Sequence, residues 1–244
     1  MNIGDHVPRR SFLTAEWRDL AMLNYEIDPA VLIPLVPSGT ELDGWNGRTF
    51  VSIVGFRFLG TRVRGLAIPF HRDFEELNLR FYVRRKARNE WRRGVVFVKE
   101  IVPRRAIAWL ARLIYQENYF AVPMRHEVVP CSPTGLAVYE WFHAKRWHRL
   151  TLEFSGTPSV PADESEEAFI TEHYWGYARQ RDGGTVEYRV DHERWSVWRA
   201  STATLDCDVA SFYGPEFASF LRARPSSAFI AKGSPVIVRR GVRL

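Results

Sequence analysis

The chain has 244 residues, 46% of them hydrophobic, with a formal net charge of +6. That length supports one large domain or two small ones with a sizeable core. It contains no 18-residue apolar run, which excludes a membrane-spanning helix. The N-terminal stretch MNIGDHVPRRSFLTAEW lacks the apolar segment of a signal peptide, so a cytoplasmic protein is expected. Nine Trp, nine Tyr and sixteen Phe need a deep core, a barrel or a pocket to cover them. The positive charge is almost all arginine, the residue suited to bidentate carboxylate and phosphate contacts. A bias in genome base composition produces the same excess.

In chain order, EWRDLAMLNYEI (16–27) predicts a first strand. Asp28-Pro29 predicts a capped helix start, with the helix over before Pro37. GWNGRTFVSIVGFRFL carries an Asn-Gly turn and then a β-rich run. FEELNLRFYV (74–83) and GVVFVKEIV, joined by RRKARNEWRRG, predict a hairpin with a basic tip. PRRAIAWLARLIYQ (103–116) has the strongest helical spacing, through Ile107, Leu110, Leu113 and Ile114. Strands follow around HEVVP, LAVYEWFHAKR and HRLTLEFSG. PADESEEAFITEH (161–173) reads as an acidic connection into HYWGYARQ. Asp182-Gly183-Gly184 signals another hairpin. DVASFYGPEFASFLRARP holds one or two short helices, and SAFIAKGSPVIVRR reads as a closing hairpin. The fold expected is α+β and mainly antiparallel β, a closed or nearly closed barrel with a few peripheral helices.

The strand at 74–83 poses the functional question. Read with a period of two, Phe74, Glu76, Asn78, Arg80 and Tyr82 share one face, opposite Glu75, Leu77, Leu79, Phe81 and Val83. The first file faces either solvent or a cavity, and periodicity alone allows both.

WRDLAMLNYEIDP, FEELNLRFYV, HERWSVWRA (192–200) and RPSSAFIAKGSPV (224–236) occur in an order and spacing that resemble the bacterial YqjF-like family, domain of unknown function 2071. The resemblance runs from about residue 15 to the end. It implies a single domain, with residues 1–14 as an N-terminal arm and 15–244 as the barrel. That family is similar in fold to acetoacetate decarboxylase, which implies an enclosed pocket with the 76–82 file turned toward it. Acetoacetate decarboxylase acts through a lysine imine in a Gly-aromatic-Pro-Lys-Lys turn. The equivalent turn here is YQENYFAVPM (115–124), with Tyr119 and Phe120 where the lysines would stand. The chain has no Lys-Lys pair, so Schiff-base decarboxylation is not expected. Lys99, the nearest lysine in sequence, reads as a strand-end charge beside Glu100.

The expected ligand-binding residues are therefore Glu76, Asn78, Arg80, Tyr82, Tyr119 and His126, with Glu76 and Tyr119 as candidate catalytic groups. Arg80 offers a fork for a ligand carboxylate. His71 and His192 are lone histidines near strand ends, and Tyr115 has weaker grounds. No metal site is expected: there is no HExxH, and His143 and His148 at i, i+5 point to opposite faces of a strand. No cofactor is expected, because GxGxxG, Walker and GxSxG motifs are absent. Cys131 and Cys207 lie in no CxxC and read as free thiols. The functional expectation is a protein that holds an organic acid or carbonyl compound in a barrel cavity, either as a binder or as a lyase that works without a lysine Schiff base. The alternative is an interaction protein that presents the basic hairpin 84–93 to an acidic partner or nucleic acid.

Overall fold

A computed structural model describes residues 11–67, 72–103 and 119–244. The expected helix at 103–116, His71 and Tyr115 lie outside the described residues, apart from the first residue of that helix, Pro103. Fifteen strands dominate the described residues. They are β1 (Ser11–Glu26), β2 (Glu41–Leu42), β3 (Phe50–Val63), β4 (Leu66–Ala67), β5 (Phe74–Lys86), β6 (Trp91–Val102), β7 (Tyr119–Ala121), β8 (Met124–Val129), β9 (Thr134–His143), β10 (Arg146–Ser155), β11 (Trp175–Arg179), β12 (Thr185–His192), β13 (Val197–Asp206), β14 (Ser227–Arg239) and β15 (Val242–Arg243). The described helices are short: α1 (Pro29–Leu32), α2 (Glu166–Thr171), α3 (Val209–Phe212) and α4 (Pro215–Leu221).

Seven strands close into a barrel in the order β1-β3-β5-β6-β11-β12-β14, and β14 returns to β1. Closure removes the exposed sheet edges that a flat sheet would present. Most pairings are antiparallel, as expected, but β6 pairs in parallel with both β11 and β7. The β6–β11 junction requires Gly94. A Cβ there would sit 2.6 Å from the Trp175 carbonyl oxygen. The class is mostly β, as the mainly β expectation has it, and the α+β label fits only roughly because the described helices serve as short plugs and connectors.

Local sequence explains most boundaries. Asp28 caps α1 by accepting from the Ala30 amide at 2.8 Å, with Pro29 in the first turn. Asn46 and Gly47 both take positive φ in the turn before β3. β1 starts at Ser11, so residues 11–14, expected in an arm, begin a barrel strand. The acidic connection 161–173 contains α2, capped by Ser165 at the Ala168 amide. The expected closing hairpin is instead one continuous strand, β14. It bends at Gly233, where φ is +76° and a Cβ would meet the Trp17 carbonyl oxygen at 2.0 Å. The bend lets β14 pair with β13 through Phe229–Ala231 and with β12 through Val236–Val238.

Two cores result. β8, β9, β10 and β13 form a second sheet that packs on the outside of β1, β3 and β5. Leu77, Leu79, Phe81 and Val83 point into that outer core with Tyr139, Trp141 and Leu152. The opposite face of β5 points into the barrel. There Met22, Phe50, Tyr82, Phe169, Ile170 and Phe229 fill one end. The helix α2 drives Phe169 and Ile170 into that end as a plug, while the other end stays hollow.

Candidate functional site

A cavity of about 140 Å³ occupies the hollow part of the barrel. An apolar cavity of about 150 Å³ holds a benzene-sized molecule, so the chamber suits a small ligand. Its apolar wall is aromatic. Trp17 meets Phe56 and Phe58 edge-on, with centroids 5.3 and 5.7 Å away. Phe58 stacks on Phe74 at 4.7 Å. Trp195 approaches Trp17 at 6.3 Å and donates its indole N–H to Ser234 Oγ at 2.9 Å.

Glu76, Asn78, Arg80 and Tyr119 all border this cavity. The file that opened the question therefore faces a chamber, not solvent; Glu76, Asn78 and Arg80 are at most 8% exposed. Asn78 Nδ2 donates to Glu76 Oε1 at 3.2 Å, and the Tyr119 hydroxyl donates to Glu76 Oε2 at 3.1 Å. β7 carries Tyr119 to this position through its parallel pairing with β6, where Tyr119 stands beside Glu100. Glu100 also borders the cavity.

Arg80 lies nearer the plugged end. Its Nη2 donates to the Ile170 carbonyl at 3.3 Å, and its guanidinium carbon is 5.7 Å from the centroid of Tyr82. Arg80 has no ion pair among the described residues, and its Nε is buried without a hydrogen-bond partner there. The same holds for Asn78 Oδ1, Thr61 Oγ1 and Trp17 Nε1, which also belong to residues bordering the cavity. Buried polar atoms are normally satisfied. These four atoms depart from that rule, and their residues surround one chamber.

Two expected residues lie elsewhere. Tyr82 belongs to the plug, where its hydroxyl shares a 2.6 Å hydrogen bond with Ser52, which donates to Asn24. The side chain faces inward, but beyond the cavity. His126 is on the outer sheet, 2.7 Å from Glu75, which points away from the chamber. A position soon after the 115–124 turn did not bring it inside, because β8 turns out to pair with β9.

Among the described residues two histidines border the cavity. His192 stacks between Tyr174 and Trp195, at 4.6 and 4.2 Å, and donates from Nδ1 to the Glu193 carbonyl at 2.8 Å. Burial pushes its pKa down. His173, not among the expected residues, follows α2 and pairs with Asp43.

All four lysines of the chain are described, and none borders the cavity. Lys99 faces the outer core, where its ammonium donates to the Phe212 carbonyl and lies 4.3 Å from the Phe212 ring. Burial lowers its pKa there. Phe120 is 39% exposed. Cys131 and Cys207 are free thiols. Among the described residues no cluster of three or more His, Cys, Asp or Glu could hold a metal ion, and no helix is long and apolar enough to cross a membrane.

The basic hairpin is not an open cationic surface. Arg84 pairs with Glu41 at 2.7 Å and Arg85 with Glu187 at 2.9 Å. Arg92 bridges Glu187 and Glu90, both at 2.8 Å, and Arg93 binds Asp43 at 2.7 Å. Glu187 is fully buried beneath two of these guanidiniums. Four of the arginines thus tie β5 and β6 to their neighbours, which does not favour the nucleic-acid alternative.

Comparison with known proteins agrees with the fold. The structure is similar to the acetoacetate decarboxylase of Legionella pneumophila, with a TM-score of 0.66 and 12% identity over 99% of this chain and 93% of that one. It is similar to the enduracididine biosynthesis enzyme MppR complexed with pyruvate, with a TM-score of 0.67 and 10% identity over 99% and 93%. An acetoacetate decarboxylase-like enzyme from Sphingomonas wittichii RW1 gives a TM-score of 0.66 and 11% identity over 100% and 99%. In sequence, the chain is 35% identical to the uncharacterized protein YqjF of Bacillus subtilis (strain 168) over 199 residues, 81% of this chain and 80% of that protein. The family model for domain of unknown function 2071, an uncharacterized conserved protein, matches residues 14–235. The chain therefore belongs to the domain of unknown function 2071 family, on an acetoacetate decarboxylase-like barrel.

Proposed function

We propose that the barrel is a chamber for a small organic acid or carbonyl compound, anchored by Arg80 against an aromatic wall. The observation that carries this reading is the guanidinium itself. It is buried inside the barrel, with no ion pair among the described residues and one N–H unsatisfied. A buried unpaired charge is costly, and an anionic group entering the chamber would turn that cost into affinity. Glu76 is four residues away, roughly 13 Å along the strand, so a carboxylate can reach Arg80 without meeting it. Pyruvate bound to MppR is consistent with a small acid in such a barrel.

The Tyr119–Glu76 hydrogen bond supports a second form of the same reading, a lyase acting through acid–base groups. Tyr119 can donate a hydrogen bond or a proton but cannot form an imine. The test is a thermal-shift panel of keto acids, hydroxy acids and fatty acids on the intact chain and on Arg80→Met. Small acids should raise the wild-type Tm and leave the variant unmoved. Equal shifts in both proteins would refute the anchor.

A further inference from the structure

Asp43 and His173 are 130 residues apart in sequence and meet beside the chamber. The His173 side chain is 1% exposed and Asp43 is 4% exposed. His173 Nε2 lies 3.3 Å from Asp43 Oδ2, which also accepts from Arg93 Nε at 2.7 Å. Burial pushes the Asp43 carboxyl up, but the hydrogen bonds from His173 and Arg93 outweigh it and hold it below its usual range. A carboxylate only accepts, so Nε2 carries a proton and donates it. Burial pushes the His173 pKa down to about 4 against the pull of Asp43, so the ring is neutral near pH 7. A neutral imidazole has one N–H, which leaves Nδ1 a bare acceptor. That nitrogen is buried and has no hydrogen-bond partner among the described residues. The ring is held in place by Tyr82 at 4.7 Å and by the edge of Phe169 at 5.1 Å. It borders the same cavity as Arg80.

Arg80 and His173 thus both border the chamber, the first a donor held at the Ile170 carbonyl and the second a ring with one unsatisfied acceptor. We infer that His173, oriented by Asp43, accepts a hydrogen bond from the ligand, and that the ligand is a hydroxy acid. Its carboxylate meets Arg80, its hydroxyl donates to Nδ1, and its alkyl group lies on the Trp17–Phe56–Phe58 wall. The inference rests on the proposed acid-binding role of Arg80. A 2-oxo acid would set carbonyl lone pairs against the bare nitrogen with no proton between them. A site built to bond a hydroxyl discriminates against the analogue that lacks it.

The test compares 2-hydroxy-3-methylbutanoate with 2-oxo-3-methylbutanoate by calorimetric titration of the wild type and of His173→Phe, which keeps a ring between Tyr82 and Phe169. ¹⁵N NMR of labelled histidine follows the His173 nitrogens in the wild type, assigned by the signals lost in the variant. The hydroxy acid should bind the wild type at least about tenfold more tightly, and the preference should vanish in His173→Phe. In the free protein Nδ1 should be unprotonated and Nε2 protonated, and the Nδ1 signal should move when the hydroxy acid binds. A proton on Nδ1 in the free protein would overturn the inference, and if the variant fails to fold the wild-type titration of the two acids still decides it. Equal affinity for the two acids, or a preference that survives in His173→Phe, would overturn it while leaving the Arg80 reading standing. No binding by any acid of the thermal-shift panel would remove that reading and this inference together.

Discussion

Replacing Arg80 with methionine should make the protein more stable and less able to bind. The side chain is 8% exposed and has no ion pair among the described residues. Its fixed partners are the Ile170 carbonyl at 3.3 Å, the Met22 sulfur at 4.0 Å and the Tyr82 ring. Holding an unpaired guanidinium out of water costs several kcal/mol. Against that stand a charged hydrogen bond, about 1.5–3 kcal/mol, and a cation–π contact of about 1 kcal/mol. Methionine fills a similar volume and needs no partner. The balance favours Arg80→Met by about 1–3 kcal/mol, a Tm rise of about 2–12 °C for a chain of this size. Chemical denaturation gives the stability directly. The same two proteins are then heated with acid at about 100 times its Kd, where a bound ligand adds about 2.7 kcal/mol. The wild type should gain about 5–10 °C, and the variant should gain nothing. A variant destabilised by more than about 1 kcal/mol would mean that the guanidinium holds the plug in place, and the binding argument would fall.

Three further outcomes follow from the same geometry. Gly233→Ala sets a Cβ 2.0 Å from the Trp17 carbonyl at positive φ, and urea denaturation should show a loss of about 2–4 kcal/mol; a change near zero would mean that β14 does not bend there. His173 titrates near 4 when folded against an ordinary value of 6.5. With the folded value depressed, the unfolded chain takes up the proton first as pH falls. Stability should therefore decline between about pH 6.5 and 4, by about 3 kcal/mol from this group. His173→Phe should flatten that part of the stability–pH curve, and an unchanged slope would contradict a neutral buried ring. Incubation with acetoacetate or pyruvate and borohydride should leave the intact mass unchanged, because no lysine borders the chamber; a lysine adduct would contradict that account.

The part of the site that lies on one strand was legible in sequence. Alternation alone put Glu76, Asn78 and Arg80 on one face, and the family resemblance turned that face inward. It could not show that α2 would plug one end and take Tyr82 into the packing, because 161–173 reads as an acidic connection. Gly233-Ser234-Pro235 has turn composition, yet positive φ at Gly233 serves a bend within one strand. Asp43 and His173 escaped for another reason. Both fall between regular elements, 130 residues apart, and only barrel closure brings them together. His126 shows the converse: it lies near the 115–124 turn in sequence, yet the pairing of β8 with β9 carries it onto the outer sheet.

A crystal structure grown with saturating 2-hydroxy-3-methylbutanoate tests the central claim most directly. The account predicts ligand density inside the barrel, with the carboxylate at Arg80 and the hydroxyl at His173 Nδ1. An interior without the acid, or the acid found only on the outer surface, would contradict it.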